Sequence, residues 1–171
     1  MIGKLLGLLT IAFGAGGSVQ VFLRLCREHT RSLHTAGQML ELIQGELNTS
    51  APPLIQLLEA ITPRLNDPAL RFCLLVREGM ADLGKRSFAE IWAESLIASF
   101  PGLSDRDLLD LKELGGVLGR YELSRQTEAL SRCRQSLKQR EETASAAFTE
   151  KRRLAMGLAF TGTALLGIIL F

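Results

Sequence analysis

Residues 33–47, LHTAGQMLELIQGEL, carry the pattern that decides the fold class of this chain of 171 residues. Apolar side chains recur here at steps of three and four: Leu33, Ala36, Leu40, Ile43 and Leu47. This spacing places them on one face of an α-helix, and that face has to be buried against other helices. The stretch 48–53 contains two prolines and interrupts the pattern. We therefore predict a helix that ends at about Leu47.

Outward from this stripe, both ends of the chain are nearly free of charge. Residues 5–23 form a run of 19 residues without a charged side chain, and residues 154–171 form one of 18. Each run is close to the roughly 17–25 residues that an α-helix needs to cross a bilayer. The sequence therefore predicts transmembrane helices at residues 1–23 and 154–171, with a helical domain at residues 24–153 between them.

The basic residues that flank the two runs predict the orientation of this domain. They lie on the inner flanks: Arg24, Arg27, Arg31, Lys151, Arg152 and Arg153. Because lysine and arginine favour the cytoplasmic side of short membrane flanks, we expect residues 24–153 to be cytoplasmic. The competing interpretation of the first run is a cleaved signal peptide, with Lys4 near its start and Ala15-Gly16-Gly17 as the cleavage site. Cleavage would place all the flanking cations on the outer side, against the same preference.

Capping and turn-forming residues divide the middle of the chain into short helices. We expect the first of them to start at Pro53, since proline suits a first helical turn. A second short helix follows, with Asp67 as its predicted N-cap and Gly84 as its end. Ser87 and Glu90 have the spacing of a capping box at the start of the third.

A fourth short helix and a long one complete the predicted fold. Ser104 is the predicted cap of the fourth short helix. No proline follows Glu122, so one long helix is expected from there to the end of the chain. No stretch alternates apolar and polar residues for long enough to predict a strand. The predicted class is all-α: a membrane-anchored bundle of roughly six helices, whose two long terminal helices end in transmembrane spans.

The charged and sulfur-containing residues argue against several functional classes. Residues 24–153 carry a net charge of +1, without the clustered cations of a nucleic-acid-binding surface. The three cysteines do not have metal-ligand spacing, and we expect them to be reduced. No pairing of a nucleophile with a base indicates catalysis. The sequence thus predicts neither enzyme activity nor a cofactor nor a bound metal.

The histidines and the acidic residues of the fourth short helix are interpreted as solvated side chains. His29 and His34 are five residues apart and point to different faces of a helix. Asp105, Asp107 and Asp110 lie in the opening turns of their helix, where acids interact favourably with the helix dipole. We therefore predict no functional site at either group.

Residues 114–119, LGGVLG, with Gln126 seven residues later, form the most specific pattern of the chain. The pattern is similar to the Leu-Gly-x-x-Leu-Gly and Gln of the stage III sporulation protein AB family, which the chain resembles over essentially its whole length. The chain departs from the family at Tyr121-Glu122, where the family commonly has Ser-Asp, and at residues 152–154, where it often has a tyrosine. The candidates for structural or interaction roles are Trp92, Leu114, Gly115, Leu118, Gly119 and Gln126.

The resemblance implies a role in endospore formation. Members of the family belong to the transenvelope complex that links mother cell and forespore, and this implies a place in the mother-cell membrane around the forespore. Their helical domain is similar to that of the inner-membrane platform protein of type II secretion, which lies beside a hexameric ATPase. The implied partners are the sporulation secretion-type ATPase, other membrane subunits of the complex and membrane lipid, but no nucleic acid.

Two other interpretations remain open at this point. The first is a membrane-hairpin sensory or adaptor protein without an ATPase partner. The second is a small membrane enzyme that acts on lipid or peptidoglycan precursors. Such an enzyme would need converging polar side chains at the membrane face, for which Glu28, His29 and His34 are the candidates.

Overall fold

The computed structural model describes the backbone of residues 2–170 and the side chains of residues 24–150 and 153. Its α-helices are α1 Ile2–Ser50, α2 Leu54–Ile61, α3 Ala69–Gly79, α4 Phe88–Ser99, α5 Asp105–Val117 and α6 Leu123–Leu170. Short 3-10 turns follow α2 and α3, at Thr62–Arg64 and Met80–Asp82. No strand occurs between residues 2 and 170, so the predicted all-α class with six helices is confirmed.

The chain divides into two compact units. His29–Glu142 form one of them, here called the head unit, and Met1–Glu28 with Thr143–Phe171 form the other. The head unit holds the four short helices together with residues 29–50 of α1 and 123–142 of α6.

Membrane-spanning helices are not found among the residues whose side chains are described. Within residues 24–150 and at Arg153, no helix is long and apolar enough to cross a bilayer. The spans predicted at residues 1–23 and 154–171 lie outside those described side chains.

The core of the head unit is built on the stripe that the sequence predicts. Each residue of the stripe is buried: Leu33, Ala36, Leu40, Ile43 and Leu47. Leu130, Cys133 and Leu137 of α6 are buried as well, at steps of three and four. Full burial of a leucine side chain contributes about 1.5–3 kcal/mol to folding. The apolar face of α1 is therefore a main source of stability for this unit.

Polar side chains connect α1 to α6 at the edges of this apolar contact. His34 Nδ1 lies 2.8 Å from Glu141 Oε1, and Arg134 Nη1 donates to Gln44 Oε1 at 3.3 Å. Both pairs are largely exposed, so their contribution to stability is small. They show that the two long helices run antiparallel within the head unit, because residue numbers rise on one helix as they fall on the other.

Both predicted serine caps are confirmed. The Ser87 hydroxyl accepts from the Glu90 amide, and the Glu90 carboxylate accepts from the Ser87 amide at 2.9 Å. Ser104 caps α5 in the same way, with Asp107 in the place of the glutamate. Helix α6 begins at Leu123, one residue after the predicted start.

The prediction of Asp67 as the N-cap of the second short helix is wrong. The N-cap of α3 is Pro68, and no side chain caps this helix. The amide that an Asp67 cap would bind is that of Leu70, and it donates instead to the Asn66 carbonyl at 3.0 Å.

The predicted end of that helix at Gly84 is also wrong, since α3 ends at Gly79. A Cβ at Gly79 would lie 2.5 Å from Cγ2 of Ile91, so the end of α3 packs directly against α4. The chain then tightens into a 3-10 turn. Gly84, at φ +109°, lies in the following loop, in a conformation that favours glycine.

Candidate interaction groove and a buried polar network

The contact between α4 and α5 depends on a glycine. Trp92 is completely buried, and its Nε1 donates to the Leu111 carbonyl at 2.8 Å. A Cβ at Gly115 would lie only 2.6 Å from Cδ1 of Trp92. Phe72 of α3 contacts the same indole edge-on, with 4.7 Å between the ring centroids. The glycine therefore lets the indole ring lie directly on the backbone of α5.

The turn between α5 and α6 is held by Gln126. The Leu118 amide donates to the Leu114 carbonyl at the end of α5, and Gly119 follows at φ +74°. Gln126 Oε1 accepts from the Gly119 amide at 3.3 Å, and its Nε2 donates to the Tyr121 carbonyl at 2.6 Å. One side chain thus satisfies two backbone groups of the turn. This gives the pattern of residues 114–119 and Gln126 a structural reason.

An open groove of about 680 Å³ lies beside this turn. Four of the predicted candidates line it, namely Gly115, Leu118, Gly119 and Gln126. The other two do not: Trp92 lies behind Gly115, and Leu114 is buried in the core. The structure therefore brings five of the six candidates to one place, four as groove wall and Trp92 as its support.

Sequence reasoning missed most of the groove wall. The additional lining side chains include the apolar Leu47, Leu54, Ile55, Met80, Leu83, Phe88 and Leu123. They come from the end of α1, from α2, from the 3-10 turn and the loop before α4, from the start of α4 and from the start of α6. Ile55, Leu83 and Leu123 remain 41–47% exposed. One signal for Ile55 was present in the sequence, since it lies off the apolar stripe of its own helix.

A buried polar network occupies a different part of the head unit. The Asp107 carboxylate is 2% exposed and accepts from the Ser104 amide at 3.0 Å and from Arg140 Nη1 at 2.9 Å. Arg140 also donates from Nη2 to Asp110 Oδ2 at 2.6 Å. His29 Nδ1 donates to the Gly102 carbonyl at 2.8 Å, and its Nε2 lies 3.9 Å from Asp107 Oδ2.

The interpretation of Asp107 and His29 as solvated side chains is therefore wrong. Ser104 is a local partner of Asp107, but Arg140 is 33 residues from Asp107 and Gly102 is 73 residues from His29, so local spacing could not indicate these contacts. Burial alone would raise the pKa of Asp107, but the hydrogen bonds from Ser104 and Arg140 and the charge of His29 outweigh it. The net effect is a pKa below the usual value for aspartate, and the carboxylate stays charged at neutral pH.

The network has a structural role, since it connects three helices of the head unit. It joins α1, α5 and α6, and both oxygens of Asp107 and Oδ2 of Asp110 accept hydrogen bonds. Over the residues with described side chains, no group of His, Cys, Asp and Glu could hold a metal ion. Burial raises the pKa of the Cys73 and Cys133 thiols to about 12, so neither is a thiolate at neutral pH.

Comparisons with known proteins identify the family of this chain. The model of the family described as stage III sporulation protein AB matches residues 4–171. A solved structure of a stage III sporulation protein AB is 22% identical and covers 71% of this chain and 97% of its own, with a TM-score of 0.61. At that identity the likeness shows the fold. No curated protein sequence matches the chain. The family match extends over nearly the whole chain, and the protein belongs to the stage III sporulation protein AB family.

Proposed function

We propose that this protein is a non-enzymatic membrane subunit of the sporulation complex between mother cell and forespore. In this role it couples a cytoplasmic secretion-type ATPase to the membrane assembly. Its membership of a sporulation family supports the process. The ATPase, the channel and the membrane location are parts of the proposal.

The observation that carries the proposal is the groove at the family's own pattern. Gly119 and Gln126 hold the α5–α6 turn, and this turn forms part of the wall of an open apolar groove. Contiguous exposed apolar surface on a protein marks a place where another molecule binds. A binding surface of this kind suits a coupling subunit better than it suits a catalyst.

Membrane anchoring is the second part of the proposal. Its support is the pair of charge-free runs at residues 5–23 and 154–171, with cations on both inner flanks. In the proposed arrangement residues 1–23 and 154–171 are the spans, and residues 24–153 form a cytoplasmic domain at the mother-cell membrane around the forespore. Other membrane subunits and lipid surround the spans.

A membrane enzyme finds no support in the described side chains. Its candidate residues do not converge, because His29 binds the Gly102 carbonyl and His34 pairs with Glu141. The sensory or adaptor alternative differs from the proposal in the ATPase alone. It is therefore decided by the same experiment.

Copurification from sporulating cells tests the coupling role. Full-length protein, solubilised in mild detergent, should retain the sporulation ATPase together with other membrane subunits. Arg77→Glu serves as a surface control, since Arg77 is exposed on α3. A charge reversal at Arg86 would be a poorer surface control, because this side chain is half-buried and forms an ion pair with Glu94. Recovery of membrane subunits without the ATPase would refute the coupling role and leave the adaptor.

Labelling of a single cysteine tests the proposed topology. Lys85 is exposed in the loop before α4, so Lys85→Cys provides a single thiol in a variant whose native Cys26, Cys73 and Cys133 are replaced by alanine. A membrane-impermeant maleimide should leave it unlabelled in intact cells and label it after the cells are opened. Ready labelling in intact cells would place the domain on the outer side and contradict the proposal.

A further inference from the structure

We propose that the groove beside the α5–α6 turn receives an amphipathic helix of the partner protein, and that a carboxylate on this helix pairs with Arg120. This inference rests on the proposed function, in which the partner is the secretion-type ATPase. It adds the site on this chain and the chemistry of the segment that binds there.

The position of the groove favours a protein partner over a lipid surface. Leu47 and Leu123 line it, close to where α1 ends and α6 begins. The other limits of the head unit on these helices are His29 and Glu142. Along the helix axes, at 1.5 Å per residue, His29 lies about 27 Å from Leu47 and Glu142 lies about 28 Å from Leu123. The groove is thus at the opposite end of the head unit from the points where the chain enters and leaves it.

The polar groups of the wall argue against a small-molecule ligand. A volume of about 680 Å³ is within the range of ligand pockets, but such pockets hold a few polar groups that orient the ligand. Here the Ser87 hydroxyl is engaged in a capping box and both ends of the Gln126 amide bind backbone, so that of the polar side chains on the wall only Arg120 remains to orient a ligand. What the groove presents is mainly the apolar surface of Leu54, Ile55 and Leu83, together with Leu123.

The backbone around the groove argues against an extended peptide. Such a peptide would need unpaired backbone groups along one edge. The loop before α2 presents Pro52 and Pro53, which have no amide proton. In the loop before α4 the amides of Leu83, Lys85 and Arg86 donate to carbonyls of the preceding 3-10 turn. Recognition therefore relies on side chains, as when an amphipathic helix lies in an apolar groove.

The charge of Arg120 indicates which charge the bound helix of the partner carries. Among the residues with described side chains, Arg120 is the single charged one that lines the groove, and no acid among them lines it. Its guanidinium makes no hydrogen bond or ion pair with the side chains that the structure describes. A carboxylate at one edge of the partner's apolar face would complement the positive charge of Arg120.

The wall is preorganised for binding. Gln126 holds the turn that carries Arg120, and the indole of Trp92 supports Gly115 from behind. Because these groups are already held, little conformational freedom is lost when a helix binds. A single helix in such a groove binds with modest affinity, and contacts between membrane subunits would add avidity.

The test measures binding of the purified ATPase to full-length protein in lipid nanodiscs. The groove variant combines Ile55→Glu with Leu123→Glu. The matched control combines Ile97→Glu with Leu109→Glu, at exposed apolar positions of α4 and α5 that do not line the groove. We expect the groove variant to raise the Kd about tenfold or more and the control to change it less than about twofold. Melting curves show whether each variant is folded.

Substitution of Arg120 tests the predicted charge. Arg120→Glu should weaken binding of the ATPase about tenfold, whereas Arg120→Lys, which keeps the charge, should retain most of it. The result with Arg120→Lys separates loss of the ion pair from a change in the shape of the wall. Equal binding by wild type and Arg120→Glu would overturn the assignment of the carboxylate.

The possible failures are distinguishable. If wild type binds the ATPase and the groove variant binds it equally well, the inference is wrong and the coupling role stands. If wild type binds no ATPase, the coupling role fails and the inference fails with it. Loss of self-association or of vesicle binding in the groove variant, with ATPase binding unchanged, would assign the groove to a second copy or to lipid and overturn the inference.

Discussion

Two regions of the head unit are organised in different ways. Around Asp107 and Arg140 the helices are joined by a buried network of charges whose members bind each other. Around Gly115 and Leu123 they are joined by apolar contact, and part of the apolar surface is left open as the groove. In the first region the charged side chains bind one another. The second has unburied apolar surface, which is what a partner can cover.

Removal of Asp107 should have the largest effect on stability. Asp107→Ala leaves Arg140, which is 23% exposed, with Asp110 as its remaining carboxylate, so we expect a cost of about 3 kcal/mol, the lower end for loss of one partner of a buried pair. The free energy of unfolding of the full-length protein, measured by denaturant titration, checks this. Glu128→Ala is the matched control, since Glu128 forms an exposed pair with Arg132 and its loss should cost about 0.3–0.5 kcal/mol. If both variants lowered the free energy of unfolding equally, the network would stabilise the protein no more than an ordinary surface pair does.

A leucine at Gly115 should have the next largest effect. Gly115→Leu forces atoms into the space of the Trp92 indole, and overpacking of this kind costs about 1–3 kcal/mol. Gly116→Ala is the control, because a Cβ there meets no atom within 4 Å. It should stabilise the protein by up to about 1 kcal/mol through helix propensity. An unchanged melting temperature for Gly115→Leu would show that α4 and α5 can separate without cost.

The cap of α4 should contribute less. Ser87→Ala removes the hydroxyl that accepts from the Glu90 amide, and loss of such a cap costs about 1 kcal/mol. Because Ser87 also lines the groove, the variant tests whether the wall depends on this cap. We expect a lower melting temperature, with ATPase binding changed less than in the groove variant. A melting temperature equal to that of wild type would mean that the cap has no energetic role.

Acid should weaken the polar region gradually. The pKa of folded Asp107 is below its usual value, so its stabilisation is complete above the unfolded pKa, at about pH 4, and is lost as the pH falls through the folded pKa. The difference in unfolding free energy between wild type and Asp107→Asn should therefore narrow below about pH 4. A difference that stays constant on acidification would show that the charge of Asp107 does not stabilise the fold.

The contrast also explains what the sequence could predict. The α1 stripe and the capping box of Ser87 and Glu90 are defined by spacings of three and four residues, and both are present as predicted. Asp107 and Arg140 are 33 residues apart and belong to different helices, so their pairing depends on how α5 packs on α6. Local propensity carries no information about such a pair.

The part of the groove wall that depends on local spacing could be predicted from the sequence, and the rest could not. The glycines of residues 114–119 and Gln126 stand in one local pattern, and its physical basis is the positive φ of Gly119 with the hydrogen bonds of Gln126. Ile55 and Leu83 reach the groove from other elements. Ile55 lies off the apolar stripe of α2, which the sequence indicates, but the place where it meets Leu83 is a property of the assembled helices.

Photocrosslinking in sporulating cells tests the central claim most directly. A photoreactive amino acid is placed in full-length protein at Ile55 in the groove, or at Ile97, which is exposed on α4 outside it. The account predicts a crosslink to the sporulation ATPase from position 55 and none from position 97. Crosslinks from position 55 to membrane subunits alone, or ATPase crosslinks of equal yield from both positions, would contradict it.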